Sequence, residues 1–563
     1  MDAATDLPRL LVRAAQDRPG TVALVETTSG RRTTWRELDD EVAAVARGFA
    51  RLGLVAGHRV LICVGNRAEF VTTYLGALRA RLVAVPVNPR SATGELVRMV
   101  ADSGARVVVA DPVTVTSVRA AVAGLQDALE GADDELRAST PVPRIAVIAA
   151  PALPGEFRYA ALAAPSPDDP RPAPDAVDPE ALAVLLYTSG TSGRPRGAML
   201  SQRALVCNVE QVAAIEPPFV TGEDVVLGVL PLFHVYGLNA VLGQVLRQGA
   251  RLVLVDEFDP ERLLDVIADE QVTVLPVAPA VFAHWATVDG LAERLRGVRL
   301  VISGSAPLSV DLVAEFTART GHPVHQGYGL TEAAPVVTST LGGPTGGPTG
   351  GPTGGSAGGS AGGSAAGAGG QRPKPGSVGR PVPGVELRLV DETGARPHNG
   401  DPGEIQLRGA NLFSGYWPDG AGGPGPDGWY GTGDVGLLDA DGDLFLVDRL
   451  KELVIVSGFN VYPSEVEEVV VEVDGVAEAA VIGVPDEESG EAVAAYVVPE
   501  PGTSLAPDEL AAEVREHCAA RLARFKQPVA VHVVDRLPHT VTGKVAKGRL
   551  RATERRRTQG LLE

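Results

Sequence analysis

The chain has 563 residues, 45% of them hydrophobic, enough to bury large cores and, at this length, to form more than one domain. A formal charge of -20 argues against nucleic acid as a partner, because a polyanion binder carries a basic face. The dense basic stretch from Lys544 to Arg557 reads, beyond Arg549, as a solvated terminal helix or tail.

The three cysteines, Cys63, Cys207 and Cys518, lie far apart in no metal or redox spacing, and the nine histidines form no ligand cluster. A reducing compartment with structural thiols is expected. The first residues, Met1 to Pro8, show no basic region followed by an apolar core, so no secretory signal is expected and a cytoplasmic protein is.

Along the chain, short apolar runs such as Val60 to Val64, Val107 to Val109, Arg251 to Val255, Val272 to Leu275 and Arg299 to Ile302 alternate with longer helical stretches, the pattern of α/β layers. The apolar run Ala181 to Tyr187 delivers Thr188 and Ser189 into a loop where Gly190, Gly193 and Gly197 let backbone N–H groups turn inward, a nest suited to phosphate. Arg194 and Arg196 add charge, and arginine can grip phosphate oxygens through two nitrogens. No Gly-Lys-Ser or Gly-Lys-Thr occurs, so the loop is not of the Walker type. Val225 to Leu246 is long enough to span a bilayer but contains Pro231, His234, Asn239 and Gln244, and reads as a buried strand followed by a core helix. Residues 342–370, built only from Gly, Pro, Thr, Ser and Ala, cannot form a core; they read as a disordered surface insertion with a reach of roughly 30 Å.

The stretch from Leu186 to Leu200 resembles the phosphate-binding signature of the adenylate-forming superfamily, which includes acyl-CoA synthetases, luciferases and the adenylation domains of peptide synthetases. Further matches follow in the family's order: Pro231 to Gly237, Gln326 to Glu332, Tyr430 to Asp434, Asp448 to Glu452, Ser457 to Pro463 and Pro538 to Lys544. One departure is Arg196, where the family usually has lysine; charge survives, while the geometry of phosphate contact can differ. The resemblance implies an α/β protein: a large N-terminal domain of layered α/β sheets over residues 1–447, a hinge at 448–451, and a small mobile C-terminal α+β lid over 452–563.

It also implies site roles. Thr188, Ser189, Gly190, Thr191, Ser192 and Gly193 belong to the phosphate loop; Glu332, with the Thr188 hydroxyl, holds Mg2+; Tyr328 flanks adenine and Thr331 touches the α-phosphate. Asp434 accepts from both ribose hydroxyls, supported by Arg449. Read as residues alone, Glu332 could be a helix N-terminal acid and Asp434 an Asx turn. Lys544, in Thr540-Val-Thr-Gly-Lys, bridges the substrate carboxylate and the α-phosphate and is counted with Glu332, Arg196 and His234 as catalytic. Rotation about Lys451 then brings Ser457, Gly458 and Phe459 to line a pantetheine tunnel. His234 is equally a gate between acyl and thiol tunnels or a satisfied core residue. Ser303 to Pro307 and Gly327 to Gly329 put small residues where the family's acyl pocket lies, leaving room there, and Ser305, Ala306 and Gly329 are also counted with the nucleotide-binding residues.

The implied reaction is ATP-dependent ligation of a fatty acid, medium or long chain, to coenzyme A through an acyl-adenylate, releasing AMP and pyrophosphate. The motifs from Leu453 to Glu467 and around Glu332 resemble bacterial fatty acyl-CoA synthetases most. The alternatives are an aryl acid, a carrier protein as thiol acceptor, or a non-catalytic nucleotide-binding homologue. Partners are then a small carboxylic acid, ATP and CoA. No transmembrane segment is expected, peripheral membrane contact stays open, and so does the oligomeric state, a homodimer included.

Overall fold

A computed structural model describes residues 6–130, 140–164, 177–189, 195–305, 308–342, 373–391, 393–398, 401–449, 452–456, 459–486, 490–503, 505–540 and 543–558. The expected insertion at 342–370 lies outside them apart from Gly342. Chain contacts divide the protein into two compact units, one formed by 1–188, 195–385 and 409–425, the other by 189–194, 386–408 and 426–563.

The large unit is built on fourteen strands: β1 (Val22–Glu26), β2 (Arg32–Thr34), β3 (Arg59–Cys63), β4 (Val83–Pro86), β5 (Val107–Ala110), β6 (Arg144–Val147), β7 (Phe157–Arg158), β8 (Leu182–Ser189), β9 (Pro195–Ser201), β10 (Val225–Gly228), β11 (Arg251–Leu254), β12 (Val274–Val277), β13 (Leu300–Ser303) and β14 (Val324–Gln326). They form two seven-stranded sheets, ordered β7-β6-β5-β3-β4-β8-β9 and β14-β13-β12-β10-β11-β1-β2. The inner strands pair in parallel and β1 pairs with β2 antiparallel. Strands β5 and β10 are buried throughout, and β3 from Val60 on, which is why they read as unbroken apolar runs and not as alternation. Helices cover them: Leu96, Val100, Val118 and Leu125 pack on Leu61, Val85 and Val108, and Leu263, Ile267, Phe282 and Trp285 pack on Leu227, Val253 and Leu275.

The segment that could have spanned a bilayer is instead β10, followed by a buried π-helical turn, Tyr236–Val241, and the helix Leu242–Gln248, as expected. Among the described residues, no helix is long and apolar enough to cross a membrane. Cys63 and Cys518 are buried free thiols, and Cys207 is half-buried. Burial, helped by the Asp111 charge, pushes the Cys63 thiol up to about 12.

The second unit holds an antiparallel meander, Val385–Val390, Gly403–Gly409, Tyr430–Leu438 and Leu444–Arg449, and a five-stranded sheet. In that sheet Val476–Asp486 pairs antiparallel with Gly490–Pro499, which pairs in parallel with Ala530–Val533. Helices Pro463–Val471 and Pro507–Arg521 bury Val466, Val470, Leu510 and Val514 against it. The meander groups by its contacts with the C-terminal unit, whereas a division at residue 447 assigns it to the N-terminal domain. The fold is thus mixed α/β, a large layered unit and a smaller α+β one.

One ion pair, a buried Asp224 with a solvent-exposed Arg299, pins the second large sheet at the start of β10. Asp224, 5% exposed, accepts from Arg299 Nε at 2.7 Å and Nη2 at 2.5 Å, from Thr273 Oγ1 at 2.7 Å and from Thr221 N at 2.6 Å. Burial alone would raise this carboxyl, but the Arg299 guanidinium, the Thr221 amide and the two threonine hydroxyls outweigh it and hold it below the ordinary carboxylate range. Its contribution is therefore complete above the unfolded value of about 4 and is lost as pH falls through the lowered folded value. Asp224→Ala, which removes the acceptor shared by Arg299, Thr273 and Thr221, is expected to cost about 1 to 2 kcal/mol in chemical denaturation at neutral pH. Asp224→Asn should flatten the loss of stability in acid; an acid profile identical to the wild type would remove this carboxylate from the account.

Candidate active site

In the large unit the phosphate-loop motif begins where β8 ends. Residues 190–194, with Gly190, Thr191, Ser192 and Gly193, and the Ser189 side chain lie outside the described residues, as does Ala306. Before the loop, Tyr187 Oη donates to Asp102 Oδ2 at 2.6 Å, and burial together with that acceptor pushes the phenol well above its usual range. Thr188 Oγ1 donates to Arg196 O at 3.4 Å, so the loop's two ends are joined.

After the loop, β9 is paired by a distant strap, residues 411–417. Ser414 N donates to Met199 O at 2.9 Å, Met199 N to Gly415 O at 3.0 Å, and Trp417 N to Gly197 O at 2.8 Å. Trp417 Nε1 reaches Asp102 O at 2.9 Å. Gly197 packs closely here: an added Cβ would lie 2.8 Å from Leu185 Cδ1 and would push that side chain aside.

The same strap holds the Glu332 turn. Thr331–Ala333 is a short 3-10 turn between two arms of a hairpin, in which Val337 N and Thr338 N donate to Tyr328 O at 3.0 and 3.1 Å. Phe413 N donates to Glu332 O at 2.9 Å, and Tyr416 Oη donates to Glu332 Oε1 at 2.6 Å. The Arg196 guanidinium lies over the Tyr416 ring, 3.8 Å from its centroid, a cation–π contact. Arg196, Tyr416 and Glu332 thus form one continuous row joining the phosphate-loop strand to the acidic turn. Tyr416 did not emerge from the sequence reading; its only local signal is the Gly-Tyr-Trp run of a Gly-rich loop.

The glycines near the expected acyl pocket correct one expectation. Small residues there were read as leaving room, but a Cβ on Gly327 would meet Thr338 O at 2.7 Å and one on Gly329 would meet Pro335 O at 2.3 Å. A Cβ on Gly304 would meet Tyr236 Cε1 at 2.7 Å. These glycines admit hairpin backbone and an aromatic ring, so their missing side chains leave no void at the Cβ positions. Ser305, just beyond β13, takes the left-handed conformation at φ 77. His234 is half-buried and its Nδ1 accepts from Tyr236 N at 3.3 Å, which fixes its ring against its own loop.

In the second unit, Asp434 is half-buried, with its N–H donating to Thr432 Oγ1 at 3.1 Å, and strand register sets Arg449 directly opposite it. The side chains of Arg449 and Phe459, and all of Lys451, Ser457 and Gly458, lie outside the described residues. Lys544 is exposed on a turn closed by Thr540 N donating to Lys544 O at 2.7 Å, with Gly543 at φ 82. The neighbouring Lys547 anchors that turn through Glu467 at 2.9 Å and Glu452 at 3.3 Å. Among the described residues, a grouping of three carboxylates, Asp439, Asp441 and Asp443, shapes a hairpin turn: Asp439 Oδ1 accepts the amides of the other two at 2.9 Å.

Tyr416→Phe keeps the ring under Arg196 and removes the hydroxyl from Glu332. It should slow ATP-dependent pyrophosphate release about tenfold, the loss expected if the Glu332 carboxylate serves as a metal ligand and loses its hydrogen-bond partner. Arg196→Lys should keep substantial activity, and Arg196→Ala should raise the KM for ATP. An unchanged KM in the alanine variant would place this arginine outside the phosphate site.

Residues 11–417 match the family model of the AMP-binding enzymes, and residues 465–544 match that of the AMP-binding enzyme C-terminal domain. The chain is 33% identical to 4-coumarate–CoA ligase 5 of Oryza sativa subsp. japonica, over 95% of this chain and 92% of that one. It is 30% identical to a long-chain-fatty-acid–CoA ligase of Bacillus subtilis, over 92% and 90%. Among solved structures, ATP-bound MatB from Rhodopseudomonas palustris superimposes with a TM-score of 0.81 at 31% identity, covering 98% of each chain. With the motifs in order, two family matches spanning most of the chain and the same fold at full length, this protein belongs to the adenylate-forming AMP-binding enzymes, as an AMP-forming acid–thiol ligase of the acyl- and aryl-CoA ligase family.

Proposed function

We propose that this enzyme activates a compact, aryl-substituted carboxylic acid and transfers it to coenzyme A. The observation that supports the choice of acid is the Tyr236 ring packed against Gly304, 2.7 Å from where a Cβ would lie, which in this reading narrows the acyl end of the site and suits an aromatic acid better than a long chain. The relative named for 4-coumarate, similar over nearly the whole chain, supports the same reading. A medium- or long-chain fatty acid is the second reading, supported by the motif from Leu453 to Glu467 and by the Bacillus subtilis relative.

In the proposed first step a carboxylate oxygen attacks the α-phosphorus of ATP, the bond to pyrophosphate breaks, and acyl-adenylate forms. Two anions must approach, so cationic and donor groups have to face them. The loop from Ser189 to Gly193 and Arg196 take the outer phosphates, Thr331 takes the α-phosphate, and Tyr328 flanks adenine. Asp434 and Arg449 hold the ribose, and Lys544 neutralises the approaching carboxylate. Glu332 and Thr188 offer a carboxylate and a hydroxyl oxygen, donors that suit Mg2+, which when bound would neutralise phosphate charge. In the second step the CoA thiolate attacks the acyl carbon and AMP leaves. For this the C-terminal lid turns about Lys451, Ser457 to Phe459 line the thiol's path, and His234 gates it. Spaced, unpaired thiols support a cytoplasmic setting.

The test is a panel of cinnamic, benzoic and C6 to C16 fatty acids assayed for pyrophosphate with and without CoA. The aryl reading expects the highest kcat/KM for a cinnamic acid and CoA-dependent turnover. A preference of about tenfold or more for a fatty acid would replace it with the second reading. Lys544→Ala should cut acyl-adenylate formation by roughly 10² to 10³ and leave thioester formation from supplied acyl-adenylate largely intact. Equal loss in both steps would remove its assignment to adenylation.

A further inference from the structure

Three asparagines, each 1% exposed, converge on the backbone of the Glu332 turn from three separate parts of the large unit. Asn411, in the strap, donates through Nδ2 to Ala333 O at 2.7 Å. Asn239, in the π-helical turn beyond His234, donates to Ala334 O at 2.7 Å and to Leu205 O at 3.0 Å. Asn208, in the helix Gln202–Ala213 that follows β9, clamps Val336 from both sides: it donates to the carbonyl at 2.8 Å and accepts from the amide at 3.0 Å.

With Glu332 O held by Phe413 N, and Pro335 O by Leu330 N, the carbonyls from Glu332 to Val336 are all paired, three of them by asparagine side chains. Buried carbonyls must be paired, and this turn's irregular path leaves no sheet neighbour to do it. Asparagine supplies a backbone-like amide where no backbone can reach. Asn239 Oδ1 is itself buried with no protein donor, so the side chain is oriented by its two donated bonds alone. Ala334 sits at φ 62, a conformation disfavoured for a residue with a Cβ and kept only where its surroundings dictate it. The turn is imposed from outside, and what it aims is the Glu332 carboxylate.

We propose that Asn208, Asn239 and Asn411 are positioning residues for adenylation, holding the Thr331–Val336 turn so that Glu332 faces the nucleotide's phosphates. This rests on the role of Glu332 in the first step proposed above. None of the three touches a substrate; they act through Glu332, so their loss should fall on the ATP-dependent step and spare transfer from a ready-made acyl-adenylate.

The experiment is a double-mutant cycle on the full chain with Asn411→Ala and Glu332→Gln, reading single-turnover pyrophosphate release, thioester formation from supplied acyl-adenylate, and calorimetric affinity for a non-hydrolysable ATP analogue with Mg2+ and with EDTA. Asn411→Ala is expected to slow pyrophosphate release about tenfold and to shrink the gain in analogue affinity that Mg2+ brings, as for loss of an outer contact that orients a metal-binding residue. Acyl transfer should stay within about twofold. In the Glu332→Gln background the same substitution should cost little more, because the two act as one unit. Additive losses, or equal losses in both steps, would overturn the proposal while leaving the role of Glu332 intact. No effect of Glu332→Gln alone would overturn both. Asn208→Ser serves as the second variant; if both asparagine variants fail to fold while Glu332→Gln folds, the cage belongs to folding and the proposal fails.

Discussion

The arrangement of the large unit's site depends on the pairing of residues 411–417 with β9. That strap fixes the exit strand of the phosphate loop on one side, through Gly197 and Met199, and the acidic turn on the other, through the backbone and side-chain oxygens of Glu332. Together with Asn208 and Asn239 it gives the phosphate-loop motif and the acidic turn a common frame. Arg196 and Glu332 carry opposite charges and do not pair directly; the Tyr416 ring and hydroxyl stand between them. A guanidinium stacked on an aromatic face keeps its N–H groups available for oxygen ligands, which a direct salt bridge would consume.

The sheets supply the second constraint. Thr188 sits at the end of β8, His234 follows β10, Ser305 follows β13 and Tyr328 follows β14. Each therefore lies at or beyond the carboxyl end of a strand, where parallel sheets place their ligands because the crossover loops open there. The glycines among these loops serve packing: Gly304, Gly327 and Gly329 let Tyr236 and the Thr338 and Pro335 carbonyls approach. Shape at this end of the sheets is set by close backbone contact and by one ring.

Much of this was legible in sequence. Buried parallel strands are short unbroken β-branched runs, so β3, β5, β11, β12 and β13 stand out, and the ordered motifs name the family and the residues proposed to face ATP. What was not legible depends on contacts between distant parts of the chain. Pairing of Met199 with Gly415 leaves no periodic mark, and Tyr416 or Asn411 look like ordinary loop residues until the strap is in place. A glycine's sequence neighbours do not say whether its missing side chain leaves a void or admits a carbonyl, and at Gly304 and Gly329 the Cβ positions are taken by Tyr236 and the Pro335 carbonyl.

The central claim is that one active site runs two chemically distinct steps through an acyl-adenylate. It is tested most directly by mixing enzyme in excess with α-³²P-labelled ATP and an accepted acid, first without CoA and then with it. The account predicts about one equivalent of pyrophosphate per ATP consumed before CoA is present, with the label held on the enzyme as acyl-adenylate, and release of labelled AMP only when CoA arrives. Appearance of labelled ADP, or free AMP at the full rate without CoA or acid, would contradict it.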